Sequence, residues 1–162
     1  MKVEDVMTKK VITLKSNQTI AEAVGKLAEN GISGAPVLDD DDKVVGMVTE
    51  KDILKALKTR SKSVEMVYPS LSMLSVAFVQ KNIIKETLEA FTEIASSKIS
   101  DIMEKNVLYA EKGTALAMVV ETMTKRDVNR VPVMDSGKLI GIVSRADVIK
   151  GLAKGMAQNN KH

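Results

Sequence analysis

The chain of 162 residues contains no cysteine and a single histidine, His162, at its last position. Without cysteine there is no disulfide, no thiolate nucleophile and no cysteine-ligated metal. Acid–base chemistry or metal ligation by histidine would depend on the end of the chain, where order is least expected. Since the sequence also offers no recognisable nucleophile–base pair, we expect no enzymatic activity, no metal site and no cofactor.

Aromatic residues are scarce as well, at 2% of the sequence with no tryptophan. The core must therefore be aliphatic, and stacking platforms for single-stranded nucleic acid are few. The formal charge is +3, but acidic and basic residues are interspersed along the chain. Because a nucleic-acid footprint normally gathers basic residues on one segment or face, a nucleic-acid partner is not expected.

Long apolar runs are missing too. No stretch of about 18 uncharged apolar residues exists, so we expect no membrane span. The opening residues, MKVEDVMTKK, lack the apolar run of a secretory signal. A cytoplasmic location is the resulting expectation.

What the chain does contain is an internal repeat. An offset of 96 residues places VEDVMTKKVITLK over ISDIMEKNVLYAE and ISGAPV over VNRVPV. One residue is then lost in a turn, and VVGMVTEKDILKAL lies over LIGIVSRADVIKGL. The predicted organisation is repeat 1 over residues 1–58, an insert over 59–98, repeat 2 over 99–153 and a flexible tail over 154–162.

Each copy predicts the same order of elements, β-α-β-β-α. Short β segments at residues 11–13 and 107–109 precede helices whose apolar residues follow the i, i+3, i+4, i+7 spacing, as at Ile20, Ala23, Val24 and Leu27. A predicted hairpin of residues 35–38 and 44–48 is followed by a second helix that opens at Thr49. A mixed α/β fold results, in which two copies pack together to bury their small sheets.

This ordered set of segments, present twice, strongly resembles a tandem pair of CBS domains, a Bateman module. The resemblance covers nearly everything except the insert. It implies a disc-like module with pseudo-twofold symmetry and two clefts between the copies. It further implies that the clefts bind adenosine-containing ligands such as AMP, ADP, ATP or S-adenosylmethionine, and that binding regulates an attached or associated protein.

The candidate ligand residues begin at the predicted start of the second helix in each copy. One interpretation is helix capping, in which an acid three residues after Thr or Ser accepts from the backbone of the cap. The other is a nucleotide site, in which the helix N-terminus and hydroxyl bind phosphate, a basic residue adds charge, and the acid accepts from the ribose hydroxyls. The resemblance favours the second. The residues are Thr49, Lys51 and Asp52, with Ser144, Arg145 and Asp147 in the second copy.

The segments around each repeat-related proline form the second candidate group. In the segment Ile32, Ser33, Gly34, Ala35 and Pro36, the small residues could let adenine approach the backbone with Ile32 as an apolar neighbour, or the glycines could merely make a turn into an edge strand. The second copy differs, with Asn129, Arg130, Val131 and Pro132. There Arg130 could reach a phosphate or lie on the surface, so the two sites are predicted to be chemically unequal.

Thr13 and Tyr109 occupy matching places on the first predicted strand, where the resemblance implies contact with base or sugar. Tyr109 could stack on adenine or pack at the rim. The run of four aspartates at 39–42 lacks the spaced ligands and closing glutamate of a calcium loop, so a solvated turn is expected.

The insert has no counterpart in the repeat. Pro69 predicts a helix start near Ser70, and a later amphipathic helix carries an apolar stripe. The stripe consists of Ile84, Leu88, Phe91 and Ala95. A denser apolar cluster spans residues 66–79, and this amount of apolar surface indicates a homodimer or partner contact.

Three functions compete. The first is a sensor of an adenosine-containing ligand that transmits binding to an unknown regulated partner through movement of the insert. The second is a structural or protein-interaction module with empty clefts, working through the insert. The third, an enzyme, is the weakest. Asp52 and Asp147, one in each copy, favour the sensor, because a purely structural pair needs neither.

Overall fold

The computed structural model describes residues 1–60 and 73–159. The first repeat forms β1 (Leu14–Lys15), α1 (Ile20–Glu29), β2 (Gly34–Leu38), β3 (Val44–Thr49) and α2 (Glu50–Arg60). After α3 (Met73–Ile94), the second forms β4 (Ala110–Glu111), α4 (Leu116–Arg126), β5 (Arg130–Asp135), β6 (Lys138–Ser144) and α5 (Arg145–Asn159). The predicted mixed α/β fold with two βαββα repeats is confirmed.

Each repeat builds a three-stranded sheet in which the first strand is parallel to the second and the second antiparallel to the third. The helix stripe predicted for α1 is correct, since Ile20, Ala23 and Leu27 are buried and Val24 packs against them. The hairpin of the second repeat closes through Ser136 and Gly137, both at positive φ. Two successive residues at positive φ are typical of a tight hairpin turn whose twist matches that of the strands.

The first strand of each repeat lies later in the chain than predicted. The sequence placed strands at residues 11–13 and 107–109, but the paired residues are Leu14 and Lys15 in one repeat and Ala110 and Glu111 in the other. The preceding residues leave the sheet because their chain crosses over to the opposite repeat. Only the two residues that follow each predicted strand therefore pair with the sheet.

This crossing exchanges a segment between the repeats. Val3, in a short 3₁₀ turn at the start of the chain, is fully buried in the core of the second repeat, and Ile99 is fully buried in the core of the first. Two isolated antiparallel bridges, Thr8 with Ile142 and Met47 with Glu104, tie the crossing segments to β6 and β3. The bridges are related by the sequence offset of the repeat, so the exchange is reciprocal and follows an approximate twofold relation.

The insert helix α3 docks on the first repeat, which covers part of the predicted apolar stripe. Ala90 and Ile94 are buried, and Phe91 packs beside them, whereas Ile84 and Leu88 are each 61% exposed. From residue 84 onward, where the side chains of the helix are described, Phe91 of the predicted stripe packs on the first repeat, whereas Ile84 and Leu88 do not. Residues 61–72, which include Pro69 and much of the predicted apolar cluster, lie outside the described residues.

Helix α5 continues to Asn159 and so includes part of the segment that the sequence assigned to a tail. His162 lies outside the described residues. Within residues 1–60 and 73–159, no helix combines the length and apolar composition needed to cross a membrane.

Candidate functional site

Two clefts lie between the repeats, and each is built from both of them. Cleft A, of about 560 Å³, is lined by residues 8, 10–12 and 31–34 of the first repeat and by residues 129–130, 142, 144–147 and 150 of the second. Cleft B, of about 300 Å³, is lined by residues 33, 47 and 49–52 of the first repeat and by residues 104, 106–108 and 127–130 of the second. Pockets of roughly 300–1,000 Å³ are typical of small-molecule sites.

The segment exchange explains why the clefts are composite. The Thr8 N–H donates to the Ile142 carbonyl at 2.9 Å, and the Ile142 N–H donates back at 3.0 Å. Met47 and Glu104 form the equivalent pair, with both bonds at 2.9 Å. The crossing segment of each repeat is thereby held beside the end of the last strand of the other, where the final helix begins.

The N-terminus of α2 faces cleft B. Helix α2 follows β3 without a loop, so the first turn of the helix starts at the sheet edge. The Thr49 N–H donates to Asp52 Oδ2 at 2.8 Å, and the Thr49 hydroxyl donates to the same oxygen at 3.1 Å. The capping interpretation of this motif is therefore correct. A carboxylate offers about four lone-pair sites, so these two bonds do not exhaust the acceptor capacity of Asp52.

Helix α5 repeats the arrangement at cleft A. Asp147 Oδ2 accepts from the Ser144 N–H at 2.8 Å and from the Ser144 hydroxyl at 2.6 Å. Its other oxygen, Oδ1, accepts from the Thr8 hydroxyl of the crossing segment at 3.3 Å. Each cleft thus contains a helix N-terminus, a hydroxyl and a carboxylate. A ligand role for these groups stays a prediction beside the capping role.

Arg130 lies at the border of the two clefts and lines both. Its Nη2 donates to the Ser33 hydroxyl, while Nη1 is buried without a hydrogen-bond partner within the described part of the chain. Burial lowers the pKa of this guanidinium, and the charge of Glu50 opposes that effect. The alternative that Arg130 is a plain surface residue is therefore wrong.

Gly34 makes the position of Arg130 possible. A Cβ on Gly34 would lie 2.6 Å from Arg130 Nη1 and 2.8 Å from the Val48 carbonyl oxygen, closer than real Cβ atoms approach. The sequence analysis explained Gly34 either by close approach of adenine to the backbone or by a turn into a strand. In the structure its missing side chain leaves room for the guanidinium that stands at the matching position of the other repeat.

Asp127 is a residue at the clefts that the sequence analysis missed. It ends α4 in the left-handed region at φ 49°, and its carboxylate accepts from Lys51 at 3.0 Å and from Arg145 at 3.3 Å. The hydrogen bond from Lys51, followed by the Lys51 charge, holds the pKa of Asp127 below its usual value, and Arg145 adds a smaller effect. Asp127 corresponds to Gly31 of the first repeat, which is also at positive φ. The glycine at this matched position was the sequence signal that could have pointed to Asp127.

Most predicted site residues meet in the clefts. Those lining cleft A are Ile32, Ser33, Gly34, Ser144, Arg145 and Asp147. Those lining cleft B are Ser33, Thr49, Lys51 and Asp52, while Asn129 and Arg130 line both.

Six predicted residues stand apart from both linings. Four are buried within strands β2 and β5, namely Ala35, Pro36, Val131 and Pro132. Tyr109 is 60% exposed, and the Thr13 carbonyl accepts from Lys26 Nζ at 2.7 Å. Ligand contact by these six stays a prediction. The sequence analysis did not single out other polar liners, which are Thr8, Lys10 and Lys150 in cleft A and Glu50, Glu104 and Asn106 in cleft B.

Comparisons with known proteins agree with this architecture. The family model of the CBS domain matches residues 3–59 and 99–154. The uncharacterized protein MJ1426 from Methanocaldococcus jannaschii is 32% identical over 94% of this chain and 91% of its own length.

Two solved structures are also similar. CBSX2, a CBS-pair protein from Arabidopsis thaliana solved in complex with AMP, is 26% identical, with a TM-score of 0.68 over 94% of this chain and 96% of its own. The CBS domain pair of protein MJ0100, solved with 5′-methylthioadenosine and S-adenosylmethionine, is 26% identical, with a TM-score of 0.67 over 96% and 98%. Together with the two matched segments, these similarities show that the chain belongs to the CBS domain family and carries two CBS domains in tandem.

Proposed function

We propose that the protein is a regulatory module that binds an adenosine-containing ligand in the clefts between its repeats. The observation that carries this proposal is that each cleft joins a helix N-terminus with a hydroxyl and a carboxylate, at Thr49 and Asp52 in one and at Ser144 and Asp147 in the other. The role is regulatory rather than catalytic, since the sequence offers no nucleophile–base pair.

The chemistry of an adenosine nucleotide suits these groups. The N–H groups of Glu50 and Arg145 already donate to the Ser33 and Asn129 carbonyls. Other N–H groups in the first turn of α2 or α5 can donate to a phosphate, assisted by the positive end of the helix dipole. The carboxylates of Asp52 and Asp147 can accept from ribose hydroxyls, as acidic residues do in dinucleotide-binding folds. Relatives solved with AMP, or with 5′-methylthioadenosine and S-adenosylmethionine, support this ligand class.

A second candidate function is an interaction module that works through apolar helix surfaces. Exposed apolar side chains occur at Ile84 and Leu88 on α3 and at Ile149, Leu152 and Met156 on α5. Residues spaced in this way lie along one side of a helix, and such surfaces often serve as protein contacts. We further propose that the chain forms a homodimer through these helices. We also propose that the protein transmits ligand binding to a protein partner.

A calorimetric screen tests the proposed function. The native chain is titrated with AMP, ADP, ATP, S-adenosylmethionine and 5′-methylthioadenosine. We expect saturable binding of at least one compound, and strongly weakened binding to the double variant Asp52→Ala, Asp147→Ala. Because a ligand that binds only the native state stabilises it, the same compound should raise the melting temperature. Absence of binding by all five compounds to folded protein would favour the interaction module.

A further inference from the structure

The two clefts differ in the sign of the net charge of the residues that line them. In cleft A they are Lys10, Arg130, Arg145 and Lys150 against one carboxylate, Asp147. That carboxylate is already engaged on both oxygens by the hydroxyls of Ser144 and Thr8. Cleft A therefore presents an excess of positive charge to whatever enters it.

Cleft B has the opposite balance. It is lined by four carboxylates and two cations. One of the cations, Lys51, is paired with Asp127 at 3.0 Å. The other, Arg130, is shared with cleft A. The carboxylates are Glu50, Asp52, Glu104 and Asp127.

The difference arises at matched positions of the repeat. Where cleft B has Glu104, cleft A has Thr8. Asp127 is likewise replaced by Gly31, and the residue after the capping hydroxyl is Glu50 in the first repeat and Arg145 in the second. Each of the three replacements removes negative charge from cleft A or adds positive charge to it.

Arg145 is the cation best placed to select a phosphate in cleft A. It occupies the first position of α5, at the positive end of the helix dipole, and its own N–H donates to the Asn129 carbonyl at 3.1 Å. A guanidinium can bind a phosphate with two parallel hydrogen bonds. Its present partner, Asp127, is exposed, and the joining distance is 3.3 Å. Since exposed ion pairs contribute little, a phosphate can displace this contact.

We propose that the two clefts sort adenosine compounds by charge. Cleft A takes a ligand with a 5′-phosphate, and cleft B takes an adenosine compound without phosphate, neutral or cationic at its 5′ position. A phosphate entering cleft B would meet the carboxylates of Glu50 and Glu104, whereas a thioether or sulfonium group would not be repelled by them. This inference rests on the proposed function, because it assumes that both clefts bind adenosine.

The test uses AMP and 5′-methylthioadenosine, which share the adenosine and differ at the 5′ substituent. Both are titrated calorimetrically into the native chain, singly and each in the presence of the other at saturation. We expect the two compounds to bind together, so that saturation with one leaves the binding of the other intact. Complete competition between them would overturn the sorting.

Charge variants identify which cleft binds AMP. Arg145→Glu, which gives the second repeat the residue of the first, should weaken AMP at least about tenfold. The matched control Lys85→Glu makes the same charge change on exposed α3, outside both clefts, and should leave AMP affinity unchanged. The converse variant Glu50→Arg should strengthen AMP binding at cleft B and raise the AMP stoichiometry.

The possible failures are distinguishable. If AMP binds Arg145→Glu as tightly as the native chain, and Glu50→Arg gains no AMP site, charge sorting is wrong although the proposed function stands. If neither compound binds the native chain, the proposed function is wrong and the sorting with it.

Discussion

Replacing Asp147 by alanine separates the capping role of this carboxylate from its proposed ligand role. The change removes the acceptor of three bonds, from the Ser144 N–H at 2.8 Å, from the Ser144 hydroxyl at 2.6 Å and from the Thr8 hydroxyl at 3.3 Å. Both roles predict a loss of stability. Only the ligand role predicts a loss of nucleotide affinity.

The two effects have different expected sizes. Loss of a helix cap costs about 1 kcal/mol, which lowers the melting temperature of a chain this long by about 2–4 °C. A hydrogen bond to a charged group contributes about 1.5–3 kcal/mol. At about 1.4 kcal/mol per factor of ten, loss of the ribose bonds of Asp147 should weaken AMP by roughly 10- to 100-fold.

Glu22 provides a matched control, because it caps α1 in the same way outside both clefts. Its carboxylate accepts from the Thr19 N–H at 2.7 Å, while the Glu22 N–H donates to the Thr19 hydroxyl at 3.2 Å. Glu22→Ala should therefore lower the melting temperature by a similar amount and leave AMP affinity unchanged. Scanning calorimetry and titration calorimetry on the same samples give both quantities.

One result would refute this reasoning directly. If Asp147→Ala and Glu22→Ala both lose stability and both keep the AMP affinity of the native chain, Asp147 acts only as a cap. The ribose assignment would then be wrong for the second repeat, however well AMP binds.

Three further predictions concern packing, pH and assembly. Gly46→Ala should destabilise the fold by about 1–3 kcal/mol in urea unfolding, because the new Cβ would lie 2.5 Å from Met103 Sδ and 3.1 Å from the Glu104 carbonyl oxygen. Unchanged stability would contradict the close packing of Met103 and Glu104 on β3. Lys51 holds the pKa of Asp127 below its usual value. Ionised Asp127 therefore stabilises the fold at any pH above that usual pKa, and this stabilisation is lost as the pH falls through the lowered pKa. Asp127→Asn should therefore be less stable than the native chain near neutral pH and equal to it in strong acid, as measured by thermal melting, and a constant difference would exclude this titration. Light scattering should give about twice the chain mass of 17.6 kDa if the exposed apolar helices form a homodimer, and the monomer mass at micromolar concentration would contradict it.

The sequence predicts the repeat and its elements well because they rest on local patterns. The spacing of Ile20, Ala23 and Leu27 is enough to define the buried side of α1, and the hydroxyl–acid spacing at Thr49 and Asp52 is enough to place a capped helix start. Both patterns depend on residues within one or two turns of each other.

The exchanged segments could not be predicted in this way, because their partners are distant in sequence. Nothing local to Val3 indicates burial in the second repeat, and nothing local to Ile99 indicates burial in the first. The charges of the clefts depend on the same exchange. Thr8 and Glu104 become comparable cleft residues only once each crossing segment lies beside the opposite repeat.

The central claim is that adenosine ligands bind between the repeats, in contact with both. An amide ¹H–¹⁵N NMR titration with AMP tests it most directly, because each backbone N–H reports on its own surroundings. We predict that the largest shifts occur together in residues 32–34 of the first repeat and residues 144–147 of the second, which line cleft A. Shifts confined to one repeat, or to the exposed helix surfaces, would contradict the account.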